Sequence, residues 1–323
     1  MKKRTVALAA LASAAAVAGT GYLVFEEVMS RDAFVYQKIA DMVFNAQDKK
    51  AEETGTVKIN RDERPETIWF NEQELIEYEM INPKNFRLRA FCLPAEKESD
   101  VYVFCSHGYR STGKGEYGVM AKFYHDLGYN VFIIDHQAHG ESDGKYIGFG
   151  YHESQDAMLW LNWMIEKFGK DIKIILQGIS MGCATVMMMT GNPELPENVK
   201  FTVADCGYTS AKAEFEYILK NFAHLPGFPI INTSNFFNKY INGFAFEDAN
   251  PLESVANAKI PMLFIHGNND DFVPTYMVHE LYAACSSEYK DMLLVDGAAH
   301  AESYCTNTPA YEAKVKEFAE KFI

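Results

Sequence analysis

The stretch KIILQGISMGC, residues 173–183, decides how this chain is read. Ile172, Ile174, Ile175 and Leu176 form a short apolar run of the kind that makes a buried strand. The run ends in Gly178-Ile179-Ser180-Met181-Gly182. Glycines mark tight turns in general, but a serine between two of them also fits a nucleophile held on a strained strand-to-helix corner. Such a serine needs a base, an acid and oxyanion donors, which the rest of the chain must supply in a workable order.

Outward from this stretch, short apolar runs alternate with amphipathic ones. DVYVFCSHG, NVFIIDHQ, FTVADCG, PMLFIHG and DMLLVDG read as strands. ELIEYEMI and FRLRAFCLPA read as half-buried strands, with Phe86, Leu88, Ala90 and Cys92 on one face. Glu116–Leu127 and His152–Phe168 carry apolar residues at helical spacing and stop at Gly128 and Gly169. MGCATVMMMTG is apolar all round, as suits a short helix at the centre of a domain. A helix is expected to begin near Pro274, and a terminal one to have Thr308 as N-cap and Pro309 at its first position. This pattern predicts an α/β fold with a mainly parallel central sheet covered by helices on both faces. The alternation breaks over residues 208–250, an aromatic-rich segment that includes Phe215, Phe222, Phe236 and Tyr240. An insertion there projects over the carboxyl ends of the strands, where such sheets bind ligands.

Bulk properties narrow the function. The 323 residues carry a net charge of −14, which argues against nucleic acid as a partner. At the N-terminus Lys2, Lys3 and Arg4 precede Thr5–Phe25, uncharged over 21 residues. This is either a signal peptide, with Ala16-Val17-Ala18 as a cleavage site, or an uncleaved anchor. The apolar run continues past that site to Phe25, which favours the anchor. The basic start then places the rest on the outer side of the cell membrane as a single-pass protein, with secretion as the alternative. The expected organisation is anchor or signal at 1–25, a juxtamembrane helix and connector at 26–66, and a catalytic domain at 67–323 with a small helical cap at about 208–250. Cys92, Cys105, Cys183 and Cys206 read as small buried hydrophobes, while pairing of Cys285 with Cys305 stays open.

Three strand ends carry the chemistry: Ser180, FIHGNNDDFVP at 264–274 and VDGAAHAESY at 295–304. A serine hydroxyl needs an imidazole to take its proton, and the imidazole needs a carboxylate to orient it. His300 follows the last strand and is the expected base. The acid is Asp270 or Asp271. Oxyanion donors are expected at the backbone N–H of Met181 and, from the loop Ser106-His107-Gly108-Tyr109-Arg110, that of Tyr109. His136 and His139 form a candidate metal pair, but no third ligand has suitable spacing.

With these motifs assembled, the chain from about Glu77 to Ile323 resembles the α/β-hydrolase superfamily, and within it the bacterial serine-aminopeptidase-like or monoglyceride-lipase-like branch. The resemblance rests on GISMG, SHGYRSTG, DHQAHGESDG, IHGNNDDFVP and GAAHAESY. It implies that the acid is Asp270, four residues after His266. Relatives commonly carry arginine where this chain has Gln137. The resemblance implies a serine hydrolase of carboxylesterase or lipase type that cleaves a small-molecule ester, lipid-derived esters included, through an acyl-enzyme, with no cofactor or metal. A peptidase or acyltransferase on the same triad is the alternative. An inactive membrane-tethered binding protein is the alternative of another class. Glu214, Glu216, Glu247 and Asp248 in the cap are expected to be solvated charges rather than a clamp for a substrate amine.

Overall fold

The computed structural model describes residues 17–33 and 60–323. The first part of the predicted anchor, Thr5–Ala16, and most of the helix expected over Arg31–Lys50 lie outside the described residues. In chain order the helices are α1 (residues 17–29), α2 (Pro65–Asn71), α3 (Gly113–Asp126), α4 (Tyr151–Phe168), α5 (Met181–Thr190), α6 (Ala211–Asn221), α7 (Gly227–Phe237), α8 (Pro251–Val255), α9 (Tyr276–Ala284), α10 (Ser303–Thr306) and α11 (Thr308–Phe322). The strands are β1 (Ile76–Ile81), β2 (Arg87–Leu93), β3 (Val101–Ser106), β4 (Asn130–Asp135), β5 (Lys173–Ile179), β6 (Val199–Asp205), β7 (Met262–Gly267) and β8 (Lys290–Val295).

The strands form one eight-stranded sheet in the order β1-β2-β4-β3-β5-β6-β7-β8. β1 and β2 join antiparallel and every pairing from β4 to β8 is parallel. This is the mainly parallel sheet that the strand pattern predicts, in the α/β-hydrolase fold that the resemblance implies. Successive side chains of a strand point to opposite faces, so Val103 and Cys105 of β3 join Tyr117 of α3 and Tyr311 and Phe318 of α11. Tyr102 and Phe104 join Trp160, Leu161 and Met164 of α4 on the other face. β5 lies at the centre, and α5 behind it explains its all-round apolar sequence. Val186 and Met189 pack towards α4, Met181 and Ala184 towards the cap, and Cys183 and Met187 towards α9.

The structure departs from the sequence reading in places. β2 is half-buried only at its start: Leu88, Ala90 and Cys92 share a face as expected, but Phe91 and Leu93 are buried on the other, under α3. The terminal helix is capped by Asn307, whose Oδ1 accepts from Ala310 N at 3.2 Å, while Thr308 Oγ1 donates to Tyr304 O. α2 occupies a segment read as connector and domain start. Its signal was Pro65 at the first helical position, and it buries Phe70 against α3 at Gly118. All six cysteines are free thiols, Cys285 and Cys305 included.

The largest difference concerns the anchor. Residue 25 is no boundary, because one helix runs from 17 to 29. Phe25 and Met29 are fully buried among cap residues such as Ile231 and Phe246, and Ser234 Oγ donates to Gly21 O at 2.9 Å. Within the predicted span Gly21 and Phe25 are thus packed on protein, while Tyr22 and Leu23 stay exposed. Among the described residues no helix is long and apolar enough to cross a membrane.

Candidate active site

The sheet brings the three strand ends together because β5, β6, β7 and β8 are adjacent and parallel. Ser180 stands between β5 and α5 with φ 56° and ψ −117°, a left-handed conformation costly for a residue with a side chain. The flanking glycines make the corner feasible. A Cβ on Gly178 would collide with the Gly182 carbonyl, and one on Gly182 with the Ser106 carbonyl. Ser180 N donates to Asp205 O at 2.9 Å, fixing the corner to β6.

His300 Nε2 lies 2.9 Å from Ser180 Oγ, and His300 Nδ1 lies 2.8 Å from Asp270 Oδ2. Asp270 Oδ1 accepts from Phe272 N at 3.0 Å and Val273 N at 2.9 Å. Burial alone would push the Asp270 carboxyl up, but His300 and His266 beside it outweigh burial and hold it at about 2. The neighbouring Asp271 is exposed and its backbone carbonyl accepts from Tyr217 Oη. Of the two candidate acids, Asp270 is the one against the imidazole. Cys206 also sits here, its Sγ within 4.8 Å of the ligand atoms of Asp270 and His300. Burial raises its thiol well above the usual range, so it is a protonated neighbour.

Met181 heads α5, where a helix leaves its first N–H groups unpaired and favours negative charge. The loop after β3 runs alongside: a Cβ on Gly108 would lie 3.3 Å from Ser180 Cβ. Two devices hold this loop. From one side Glu116, buried in α3, accepts from Gly108 N at 3.2 Å and from Arg61 Nη1 at 2.8 Å. Burial pushes the Glu116 carboxyl up, and Arg61 overrides it and holds it below its ordinary value. Arg61 also donates to Ala301 O, tying this loop to the one that carries His300. From the other side His107, His136 and His139 cluster, with ring centroids 4.6 and 4.9 Å apart around His107. His136 Nε2 meets Ser106 Oγ at 2.8 Å, and His139 Nε2 accepts from Arg110 N at 3.1 Å. Burial drives both His136 and His139 well below their ordinary range. The candidate metal pair is thus a neutral hydrogen-bonding brace. Gln137, where relatives carry arginine, accepts from Lys84 Nζ at 3.4 Å and donates to Tyr146 O.

Above the triad lies a cavity of about 390 Å³. Its floor includes Ser180, Met181 and Tyr109, one wall comes from Phe215 and Leu219 of α6, and another from Leu23, Phe25 and Val28 of α1. Sequence reasoning missed α1 as part of the site, because its apolar run reads equally well as a membrane segment. The loop after β3 grips it. Tyr109 Oη donates to Val28 O at 2.5 Å, and the Arg110 guanidinium donates to Glu27 O, Ser30 O and Ala33 O at 3.2, 2.6 and 3.0 Å. Arg31 reaches the loop after β4, donating to Ser142 O and Gly140 O.

The cap acids divide. Glu216, Glu247 and Asp248 are exposed, and Glu247 pairs with Lys212 at 3.0 Å. Glu214 is not the solvated charge expected. It lines the cavity, is buried, and neither carboxyl oxygen has a hydrogen-bond partner among the described residues. Burial, then the Asp270 charge, raise its carboxyl well above the usual range.

A buried serine, histidine and aspartate after β5, β8 and β7 form a Ser-His-Asp constellation on an α/β-hydrolase fold. Comparison with known proteins finds similar chains. The model of a serine hydrolase family, FSH1, matches residues 150–301. The uncharacterized protein YqkD of Bacillus subtilis is 30% identical over 195 residues, 60% of this chain and 63% of YqkD; the chain thus spans less than two thirds of that relative. The uncharacterized membrane protein YNL320W of Saccharomyces cerevisiae is 22% identical over 230 residues, 69% of this chain and 72% of that one. Among solved structures, the esterase Pf2001 of Pyrococcus furiosus superposes with a TM-score of 0.63 at 22% identity, over 82% of this chain and 97% of that one, a likeness in fold.

Proposed function

We propose that the protein is a serine hydrolase that cleaves a carboxylic ester through an acyl-enzyme on Ser180. The observation that carries this reading is the unbroken chain Ser180 Oγ–His300–Asp270, with contacts of 2.9 and 2.8 Å at the foot of an apolar cavity. Ser180 Oγ attacks the ester carbonyl carbon while His300 Nε2 takes its proton. Asp270 orients the ring and stabilises its charged form. The tetrahedral oxyanion is held by the N–H groups of Met181 and Tyr109, each such donor being worth about 2.7–4 kcal/mol in the transition state. His300 passes the proton to the departing alkoxide. A water then attacks the acyl-enzyme with His300 again as base, and Ser180 regains its proton.

The cavity walls suit an apolar acyl or aryl group of the kind found in lipid-derived esters. Leu23 and Leu225 line the cavity and are also exposed, so its mouth is rimmed by apolar side chains beside the helix into which the uncharged N-terminal run leads. This favours a chain held at the outer face of the cell membrane, with its cavity opening near the lipid. Leu23, Phe25 and Val28 belong to the cavity wall, so lipid contact falls to residues before them.

The test is labelling by an alkyl fluorophosphonate together with turnover of p-nitrophenyl esters of increasing chain length. Wild type is labelled and turns over; Ser180→Ala is neither labelled nor retains more than about one hundredth of the turnover. Retained turnover refutes the nucleophile. Protease treatment of intact protoplasts tests the location: activity protected from protease, or released to the medium, refutes it.

A further inference from the structure

The cavity holds few polar side chains, and nearly all are committed. Tyr109 Oη donates to Val28 O, Tyr208 Oη to Phe149 O, and Ser234 Oγ to Gly21 O, while Ser180 Oγ is engaged with His300. Glu214 alone among these buried lining groups has both oxygens unspent. It projects from the first turns of α6, whose N-cap Ser210 already satisfies Ala213 N, so it is not needed to cap the helix. Around it stand Phe215, Leu219, Phe246 and, from α1, Phe25 and Val28. An unpaired buried carboxyl is a standing cost to the fold. A leucine would fill the same place without it.

We propose that Glu214 is a specificity-determining residue that pairs with a neutral hydroxyl on the apolar part of the ester; this rests on the esterase reading of Ser180. The choice of a neutral group follows from the surroundings. No cation pairs with Glu214 among the described residues, and burial first, then the Asp270 carboxylate, raise its carboxyl well above the usual range, which favours the protonated form. A protonated carboxyl offers one O–H donor and one C=O acceptor side by side, which matches the one donor and the acceptor lone pairs of an alcohol. An ammonium group would instead require Glu214 to ionise in an apolar cavity beside Asp270, at a high desolvation cost. A substrate hydroxyl satisfies the carboxyl without creating charge. An ester lacking it leaves the Glu214 carboxyl unpaired.

The experiment uses the full chain and matched substrates: octanoyl esters with a hydroxyl at successive carbons of the acyl group, monooctanoyl esters of aliphatic diols, their unsubstituted counterparts, and amino analogues. In the wild type at least one hydroxylated isomer exceeds its plain counterpart in kcat/KM by about tenfold or more. Glu214→Gln, which keeps a neutral donor and acceptor, retains that preference to within about threefold, whereas Glu214→Leu and Glu214→Met lose it. Both apolar variants melt at or above the wild-type temperature, since they remove an unpaired buried acid, which separates loss of preference from misfolding. The proposal is overturned if no hydroxylated isomer is preferred, if the preference survives both apolar variants, or if the amino analogue is preferred and Glu214→Gln abolishes that. Ser180-dependent turnover of plain esters with no hydroxyl effect sinks the role of Glu214 alone. Absence of turnover in every series sinks the esterase reading, and the proposal with it.

Discussion

Replacing Arg110 by methionine separates the two halves of the cavity wall. The guanidinium donates to three carbonyls at the end of α1, Glu27 O, Ser30 O and Ala33 O, and to Tyr109 Oη at 2.8 Å. The last carbonyls of a helix have no partner within it, and a cation there also suits the helix dipole. Hydrogen bonds to charged groups contribute about 1.5–3 kcal/mol each, but these carbonyls are partly open to water, which replaces much of the loss. A net cost of about 3 kcal/mol for docking α1 follows, a factor of roughly 10² in its docked population. Methionine keeps the Cβ, so the positive φ of 56° at this position is strained equally in both proteins. Two measurements report the effect. Amide hydrogen exchange over residues 17–29 should quicken by about 10²-fold while the strands of the central sheet keep their protection. The kcat/KM for octanoyl esters should fall further than that for acetyl esters, because Leu23, Phe25 and Val28 leave the wall that a long chain touches. Unchanged exchange in α1 refutes the role given to Arg110. Faster exchange with an unaltered chain-length profile shows that α1 docks this way but does not shape the acyl site.

Two further outcomes follow from the geometry. Asp270→Asn should lower kcat by about 10⁴, as the equivalent change does in serine proteases, while Asp271→Asn, which alters an exposed side chain, should stay within about threefold; paired kinetics showing the reverse order would assign the wrong carboxylate. Asp205, buried at the end of β6, has its carboxyl pushed up to about 6 by burial, so its contribution to stability is complete below about pH 4 and is lost as pH rises through 6. Asp205→Asn should flatten that decline by on the order of 3 kcal/mol between pH 4 and 8; denaturant titrations with parallel pH profiles for the two proteins would show that Asp205 does not titrate with folding.

Much of this was legible in the residues themselves. Strand and helix patterns are local, set by side-chain period, and a mainly parallel sheet followed from their alternation, while its α/β-hydrolase form came from the family resemblance. Ser180 and His300 were legible because a strand end followed by glycine and a reactive side chain is a local pattern too. The choice of Asp270 over Asp271 needed the family resemblance, since two adjacent aspartates look alike until one is buried against an imidazole at 2.8 Å and the other faces water. Burial and pairing across the chain are not local properties, and there the reading failed. Glu214 looks like any surface glutamate until α6 turns it into the cavity. His136 and His139, set aside as a metal pair for want of a third ligand, gave no hint that they brace the loop after β3 through Ser106 and the Arg110 backbone. The run from Thr5 to Phe25 advertises only that it is apolar, and apolar surface is satisfied equally by lipid or by protein. The decision that Leu23, Phe25 and Val28 wall the cavity was made by contacts with distant partners, the Arg110 guanidinium on Glu27 O and Ser30 O and the Ser234 hydroxyl on Gly21 O, which only the folded chain brings within reach.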